Sequence, residues 1–145
     1  MSTAQSFKRI FMAGSGFMGR AIAYLIVSRS QADAVLYDIS DDALKLALSE
    51  IDKFGAKSVE KGLFSEKELA EIKGRIVTTT STDRASDCDL VIEAIREDLD
   101  VKRELFARLD RTCPVETVFA SNTSSLPITS LASATTRSDR FIGMH

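Results

Sequence analysis

Three glycines that follow a short apolar run restrict this chain more than any other feature of its sequence. The segment Gly14-Ser15-Gly16-Phe17-Met18-Gly19 comes after Ile10-Phe11-Met12-Ala13 and has the spacing G-x-G-x-x-G. In that spacing the first glycine allows a sharp turn, the second lets backbone approach a pyrophosphate, and the third lets a helix pack tightly on the strand. A helix that begins near Phe17 would direct its free N–H groups towards the phosphates. The motif alone is weak evidence, because glycine triplets also occur in ordinary turns.

An acidic residue strengthens the nucleotide interpretation. Asp38 lies 22 residues after Gly16 and closes a second predicted strand, Ala34-Val35-Leu36-Tyr37. A carboxylate at this position accepts hydrogen bonds from the hydroxyls of the adenosine ribose and repels a 2′-phosphate. No arginine or lysine follows in residues 39–42, so the predicted cofactor is NAD rather than NADP. The alternative, that Asp38 only starts a helix, is less favoured because Ser40 is the better N-cap.

Apolar runs and amphipathic segments alternate along the rest of the chain. We expect strands at 8–13, 34–37, 75–79, 89–94, 115–120 and 141–144, and helices from 17, over 41–61, over 65–73, from 98 and over 127–134. This alternation predicts an α/β, Rossmann-type doubly wound and mainly parallel sheet, with a helical arm inserted after the second strand. Ligands of such sheets bind at the carboxyl ends of the strands. The glycine turn, Asp38, Glu97, Asn122, Ser124 and His145 all fall at such ends.

Helical spacing also predicts which faces are buried. In the first helix the expected apolar face consists of Met18, Ala21, Ile22, Leu25 and Ile26. In the second it includes Leu44, Leu48 and Ile51. Ser121 to Ser125 is expected to form a polar turn after the fifth strand.

Composition excludes several classes of protein. With 145 residues and a formal charge of −2, the chain is of single-domain size and gives no reason to expect nucleic acid or an anionic membrane as a partner. No apolar run approaches the roughly 20 residues that span a bilayer. Cys88 and Cys113 belong to no metal-binding spacing, so we expect two reduced thiols, no metal and a cytoplasmic location.

Several stretches together resemble the N-terminal NAD-binding domain of L-3-hydroxyacyl-CoA dehydrogenases. They are the glycine segment, Leu90-Val91-Ile92-Glu93-Ala94, Lys102-x-x-Leu105-Phe106, Ala120-Ser121-Asn122-Thr123-Ser124-Ser125-Leu126 and Arg140-Phe141-Ile142-Gly143-Met144-His145. The resemblance covers essentially the whole chain, and the last two stretches are far more specific than the glycines.

The resemblance implies a role for particular residues. Gly14 to Gly19 and Asp38 match the cofactor site, and Glu97 and Lys102 match polar contacts near the nicotinamide. Ser124 matches the serine that hydrogen-bonds the reacting oxygen. His145 matches the histidine that removes the hydroxyl proton of a (3S)-3-hydroxyacyl-CoA, which is oxidised to the 3-ketoacyl-CoA of fatty-acid β-oxidation.

The resemblance also implies features beyond the NAD site. Polar and basic residues of the helical arm would hold coenzyme A, and the candidates here are Lys57 and Lys61 of that arm, together with Lys102 outside it. The family continues past the histidine with a partner glutamate and a helical C-terminal domain that forms a homodimer. We therefore expect residues 1–145 to be the NAD-binding domain, with weak NAD(H) binding and little turnover.

Two alternatives stay open at this point. Another NAD-linked hydroxyacid dehydrogenase would explain the glycine turn and Asp38, but not residues 121–126 or the ending at His145. A non-catalytic NAD-binding or structural member of the same fold has no evident use for both Ser124 and His145.

Overall fold

The computed structural model describes residues 6–145, and its centre is one sheet of six strands. The strands are β1 (Arg9–Ala13), β2 (Asp33–Tyr37), β3 (Ile76–Thr79), β4 (Leu90–Glu93), β5 (Val118–Ser121) and β6 (Phe141–Gly143). Their order is β3-β2-β1-β4-β5-β6, and every neighbouring pair is parallel. The doubly wound prediction is confirmed, and the sheet is parallel throughout rather than mainly parallel. The strand order reverses between β1 and β4, which is where such sheets bind ligands.

Five helices connect the strands. They are α1 (Phe17–Arg29), α2 (Asp41–Glu60), α3 (Glu66–Gly74), α4 (Leu99–Thr112) and α5 (Ile128–Ala132), with 3₁₀ turns at Thr82–Ala85 and Ser138–Arg140. Helices α2 and α3 together form the predicted helical arm between β2 and β3. Among the described residues, no helix is long and apolar enough to span a bilayer.

Side chains that follow the strand pleat divide between two cores, one on each face of the sheet. Phe11 packs with Val91, Phe119 and Phe106 on the side of α4 and α5. Its neighbour Met12 packs on the opposite side, against α1 and α2. Since both faces are covered, the central strands are continuous apolar runs, as parallel sheets require.

Capping side chains fix where three helices begin. The Ser40 hydroxyl accepts the N–H of Ala43 at 3.2 Å, and Asp98 accepts the N–H of Val101 at 3.0 Å. Ser65 and Glu68 form a reciprocal capping box at the start of the predicted helix. These local signals are confirmed because a cap depends only on residues within one helical turn.

The predicted faces of α1 and α2 are partly wrong. In α1 the buried residues are Gly19, Ala23, Tyr24 and Val27, whereas Met18 and Leu25 are exposed. The reason is the contact of Gly19 with the glycine turn, which rotates that side of the helix towards the sheet. In α2, Ala47 is buried and Leu48 is 38% exposed.

The fifth strand begins and ends later than the sequence indicates. The N–H of Thr117 bonds to the carbonyl of Pro114 at 3.1 Å, and this turn replaces the predicted start of the strand. Ser121 belongs to β5 and is fully buried, so it is not part of a polar turn.

Candidate functional site

Backbone hydrogen bonds join the chain segments that leave the carboxyl edge of the sheet. Beyond the strand ends, Ala94 N–H donates to Ala13 O, Asn122 N–H to Glu93 O and Met144 N–H to Ser121 O, each at 2.8 Å. The N–H of Gly14 donates to Tyr37 O, also at 2.8 Å. The edge is therefore a continuous backbone platform, and the segments after β1, β4, β5 and β6 start from fixed positions.

The three motif glycines have different local surroundings. Gly14 has φ +101°, and a Cβ there would lie 2.6 Å from the carbonyl oxygen of Ala94. A Cβ on Gly19 would lie 1.8 Å from the carbonyl oxygen of Gly14, so α1 can approach the turn only without one. No atom lies within 4 Å of a Cβ built on Gly16. The fold itself therefore requires glycine at positions 14 and 19, whereas the open space at Gly16 is accessible to a ligand.

The N-terminus of α1 suits an anionic group. Gly16 is its N-cap, with no side-chain hydrogen bond to the first turn, and that turn contains no acidic residue. Phe17 is 72% exposed and Met18 is 45% exposed. Free amide N–H groups and the positive end of the helix dipole therefore meet at an uncovered surface, as a bound pyrophosphate requires.

Asp38 lies beside this turn. Its Oδ2 accepts hydrogen bonds from the backbone N–H of Ser15 at 3.0 Å and from the Ser15 hydroxyl at 2.7 Å. Its Oδ1 accepts the N–H of Ser40 at 3.1 Å. Three donors thus hold the carboxylate against the glycine turn. Since ionised carboxylate oxygens have about four lone-pair positions, Oδ1 can still accept from a ligand hydroxyl.

A cavity of about 390 Å³ extends from the glycine turn across the switch point. Its lining contains Gly14, Ser15, Gly16, Tyr37, Asp38, Ile39, Ala94, Ile95, Arg96, Val101, Glu104, Leu105 and Arg108. The walls are mostly apolar, with the carboxylate of Asp38 among them. An apolar slot with a hydrogen-bonding carboxylate beside the glycine turn fits an adenosine group.

Glu93, the last residue of β4, carries a fully buried carboxylate beside the cavity. Lys102 Nζ lies 2.9 Å from Glu93 Oε2 and 3.1 Å from Glu97 Oε1, and the lysine side chain is 2% exposed. The Ser121 hydroxyl donates to Glu93 Oε1 at 2.6 Å. Lys102 is therefore enclosed between two carboxylates.

Glu97 connects this ion pair to the loop after β5. Its Oε1 accepts the hydroxyl of Thr123 at 2.6 Å. That bond is the largest influence on the pKa of the Glu97 carboxyl group. Together with Lys102 and the backbone of Ser124, it outweighs desolvation and lowers the pKa of Glu97. The carboxylate is thus held ionised beside the loop that carries Ser124.

Ser124 and His145 are both exposed at this edge. Ser124 lies in the loop between β5 and α5, and His145 follows Met144, whose N–H is bonded to β5. Their predicted catalytic roles stay predictions, since the structure shows no side-chain contact of either residue that would identify such a role.

The three lysines predicted to contact coenzyme A do not line the cavity. Lys57 and Lys61 are exposed near the C-terminal end of α2. At 1.5 Å per residue, Lys57 is about 24 Å along the helix from Asp41. Lys102 is buried, which disfavours a direct contact with coenzyme A. All three contacts with coenzyme A stay predictions.

Sequence reasoning missed the part of the site that depends on topology. Glu93 was treated only as a strand residue, and Ile39, Arg96 and Arg108 were not identified as cavity residues. One signal was present: an acidic residue that ends an apolar, doubly covered strand must find partners inside the protein. Among residues 6–145 no cluster of three or more potential metal ligands occurs.

The sequence profile of the family described as "3-hydroxyacyl-CoA dehydrogenase, NAD binding domain" matches residues 9–145. The chain is 42% identical over 142 residues to a probable 3-hydroxybutyryl-CoA dehydrogenase of Bacillus subtilis, covering 95% of this chain and 48% of that protein. It is 44% identical over 145 residues to the mitochondrial hydroxyacyl-coenzyme A dehydrogenase of Homo sapiens, covering 95% and 46%.

A solved structure with a related name shares the fold. The crystal structure of 3-hydroxybutyryl-CoA dehydrogenase from Escherichia coli K12 superposes with a TM-score of 0.92 at 34% identity, covering 97% of this chain and 30% of that one. The chain spans about half the length of the two curated relatives above. Because the family profile matches nearly all of the chain, the chain belongs to the family of NAD-binding domains of 3-hydroxyacyl-CoA dehydrogenases.

Proposed function

We propose that this chain is the cofactor-binding part of an enzyme that oxidises (3S)-3-hydroxyacyl-CoA to 3-ketoacyl-CoA with NAD. The observation that carries the proposal is the cavity of about 390 Å³ at the switch point, lined by both the glycine turn and Asp38. The names of the relatives supply the substrate class. The named relatives are about twice as long, so the activity of the whole enzyme is part of the proposal.

The cofactor is held mainly by backbone and by one carboxylate. The pyrophosphate would lie over Gly16 at the uncapped N-terminus of α1, where its charge meets free N–H groups. Asp38 would accept a ribose hydroxyl on Oδ1. A 2′-phosphate in its place would bring two anionic groups together, and this is the reason to expect NAD rather than NADP.

The chemistry would follow at the ends of β5 and β6. NAD, when bound, accepts a hydride from C3 of the substrate. An alcohol is a very weak acid, so the loss of that hydride needs a base for the hydroxyl proton. We propose that His145 takes this proton, and that the Ser124 hydroxyl donates a hydrogen bond to the same oxygen as it becomes a carbonyl. Glu97 and Lys102 would act near the nicotinamide, and Lys57 and Lys61 would contact coenzyme A.

Further parts of the proposal concern the longer protein. A helical C-terminal domain would complete the acyl pocket and form a homodimer, and the isolated 145 residues would bind NAD(H) weakly with little turnover. A cytoplasmic location also stays a prediction, since the named relatives include a mitochondrial protein.

The test is a chimaera in which this chain replaces the matching N-terminal half of the Bacillus subtilis relative. We expect NADH-dependent reduction of a short 3-ketoacyl-CoA, with a loss of about a thousandfold or more in His145→Gln, since in this direction His145 would return the proton to the new hydroxyl as general acid, and substrate orientation is affected as well. Residues 1–145 alone should be nearly inactive. A folded chimaera that binds NADH but does not turn over, beside an active Bacillus parent, would favour the non-catalytic alternative.

A further inference from the structure

Glu93 and Lys102 form the most enclosed ion pair among residues 6–145. Their side chains are 0% and 2% exposed, and the two charged atoms are 2.9 Å apart. A buried ion pair is a weak source of stability, because desolvation of both charges offsets much of their attraction. Replacing such a pair by apolar side chains is often neutral or stabilising, so stability alone does not explain the pair.

The carboxylate of Glu93 holds both loops that border the site. Oε2 accepts the N–H of Ile95, at 2.8 Å, in the cavity wall after β4. Oε1 accepts the hydroxyl of Ser121, at the end of β5. The Ser121 oxygen accepts in turn the N–H of Thr123 at 3.2 Å. One carboxylate therefore sets the start of both loops.

Lys102 connects the same two loops through a second set of polar contacts. Its ammonium group bonds to Glu93 and to Glu97, and Glu97 accepts the hydroxyl of Thr123. The Thr123 oxygen then accepts the N–H of Leu126 at 3.0 Å. Glu93, Lys102, Glu97, Thr123 and Ser121 thus form a ring of polar contacts, which the backbone N–H of Thr123 closes on the Ser121 hydroxyl and which we call the Glu93 ring.

We propose that Glu93 is a positioning residue: through the Glu93 ring it fixes residues 122–126, and so Ser124, relative to the cavity wall at residues 94–96. The part that concerns Ser124 rests on the proposed function above. Glu93 itself is fully buried and would touch neither substrate nor cofactor. Its effect would be to keep Lys102 and Thr123 in one arrangement while the cofactor enters beside them.

The test compares Glu93→Gln with a matched control, Asp110→Asn. Asp110 and Arg137 form a second largely buried pair, with side chains 9% and 6% exposed, and Arg137 also bonds to the carbonyls of Pro114 and Thr117 before β5. This control therefore removes a similar ion pair at the opposite edge of the sheet. A third variant, Glu93→Gln combined with Lys102→Met, also removes the ammonium group that would otherwise stay buried with one partner fewer.

The main measurement is amide hydrogen exchange at Thr123, Ser125 and Leu126, whose N–H groups bond within the loop. We expect exchange to be about tenfold faster or more in Glu93→Gln, and also in the double variant even where its overall stability recovers. In Asp110→Asn, exchange at these three amides should be no faster than the variant's lower global stability explains. NADH affinity should fall in the Glu93 variants and not in the control.

Loop exchange within about twofold of wild type in the folded Glu93 variants would overturn the proposal. Equal acceleration by Asp110→Asn would overturn it as well. If the Glu93 variants do not fold, Thr123→Val carries the test, since it removes the hydroxyl that joins the ring to Glu97. The N–H of Thr123 keeps its own acceptor, Ser121, so unchanged exchange at Thr123 would then refute the proposal. A wild-type chain that binds no NADH would refute the proposed function, and the exchange data would still decide the role of Glu93.

Discussion

The carboxylate of Asp38 accepts two hydrogen bonds from Ser15, one from its backbone N–H at 3.0 Å and one from its hydroxyl at 2.7 Å. Ser15 is the variable residue between the first two glycines of the motif, and its side chain is buried. The acid expected to bind ribose therefore also fixes the conformation of the phosphate-binding turn. We expect this one side chain to couple the binding of the two halves of the cofactor.

Replacing Ser15 by alanine tests how much its hydroxyl bond to Asp38 stabilises the fold. The substitution removes a hydroxyl bond to a carboxylate and leaves the backbone bond, so we expect a loss of about 1–2 kcal/mol in the free energy of unfolding, measured by urea denaturation. Ser28→Ala, in an exposed part of α1 with only a weak 3.4 Å bond, should change it by less than about 0.5 kcal/mol. Equal effects of the two substitutions would show that the Ser15 hydroxyl contributes nothing particular.

Two glycines of the motif should respond differently to the same substitution. Gly19→Ala places a methyl group 1.8 Å from the Gly14 carbonyl oxygen, so we expect a destabilisation of more than about 3 kcal/mol, or no folded protein. Gly16→Ala meets no atom within 4 Å and has φ −65°, so its stability should be unchanged or raised by up to about 1 kcal/mol. NADH affinity of Gly16→Ala should nevertheless fall by about tenfold or more, since the methyl group would occupy the space of the pyrophosphate. Normal NADH affinity of a folded Gly16→Ala protein would place the phosphates elsewhere.

The pair of Asp110 and Arg137 predicts a pH dependence of stability. Burial by itself would raise the pKa of Asp110, but the hydrogen bonds from Thr136 and Arg137 outweigh it, and the pKa lies below the ordinary 3.8. A lowered pKa in the folded state means that the stabilisation is fully present above the unfolded pKa and is lost as the pH falls through the folded one. Asp110→Asn should therefore cost about 3 kcal/mol near neutral pH, and the difference from wild type should shrink below about pH 4. Denaturation curves at several pH values check this, and a difference that is independent of pH would contradict it.

The two thiols should be inert in the folded protein. Burial is the main cause that raises the pKa of Cys88 to about 11 and that of Cys113 to about 12. Because the thiolate is the reactive form, a thiol reagent at mildly alkaline pH should modify both cysteines only at the rate of unfolding. The same reagent in denaturant should react at once with two thiols per chain. Rapid modification of a native cysteine would mean that one side chain is more accessible than its 0% or 7% exposure indicates.

Local features of the sequence predicted the elements and the cofactor turn well. The glycine spacing, Asp38 and the caps at Ser40 and Ser65 depend on residues close in sequence, and the structure has each of these features in place. The prediction of the buried face of α1 was wrong because the contact of Gly19 with Gly14 sets that face. The spacing of apolar residues along the helix does not describe this contact.

The Glu93 ring could not be predicted, for a different physical reason. Glu93 and Ser121 are 28 residues apart and become neighbours only because β4 and β5 pair in parallel with these residues in register. Glu97 and Thr123 then meet because both follow those strand ends. The identity of each residue was evident in the sequence, but their meeting depends on the strand order.

Calorimetric titration of residues 1–145 with NADH is the most direct test of the central claim, that the cavity beside Asp38 binds NAD. We expect binding of NADH, much weaker binding of NADPH, and a loss of NADH affinity of about tenfold or more in Asp38→Ala. Asp42→Ala, an exposed carboxylate in the first turn of α2, should bind NADH as the wild type does. Equal binding of NADH and NADPH, or an Asp38→Ala protein that is folded and binds NADH unchanged, would contradict it.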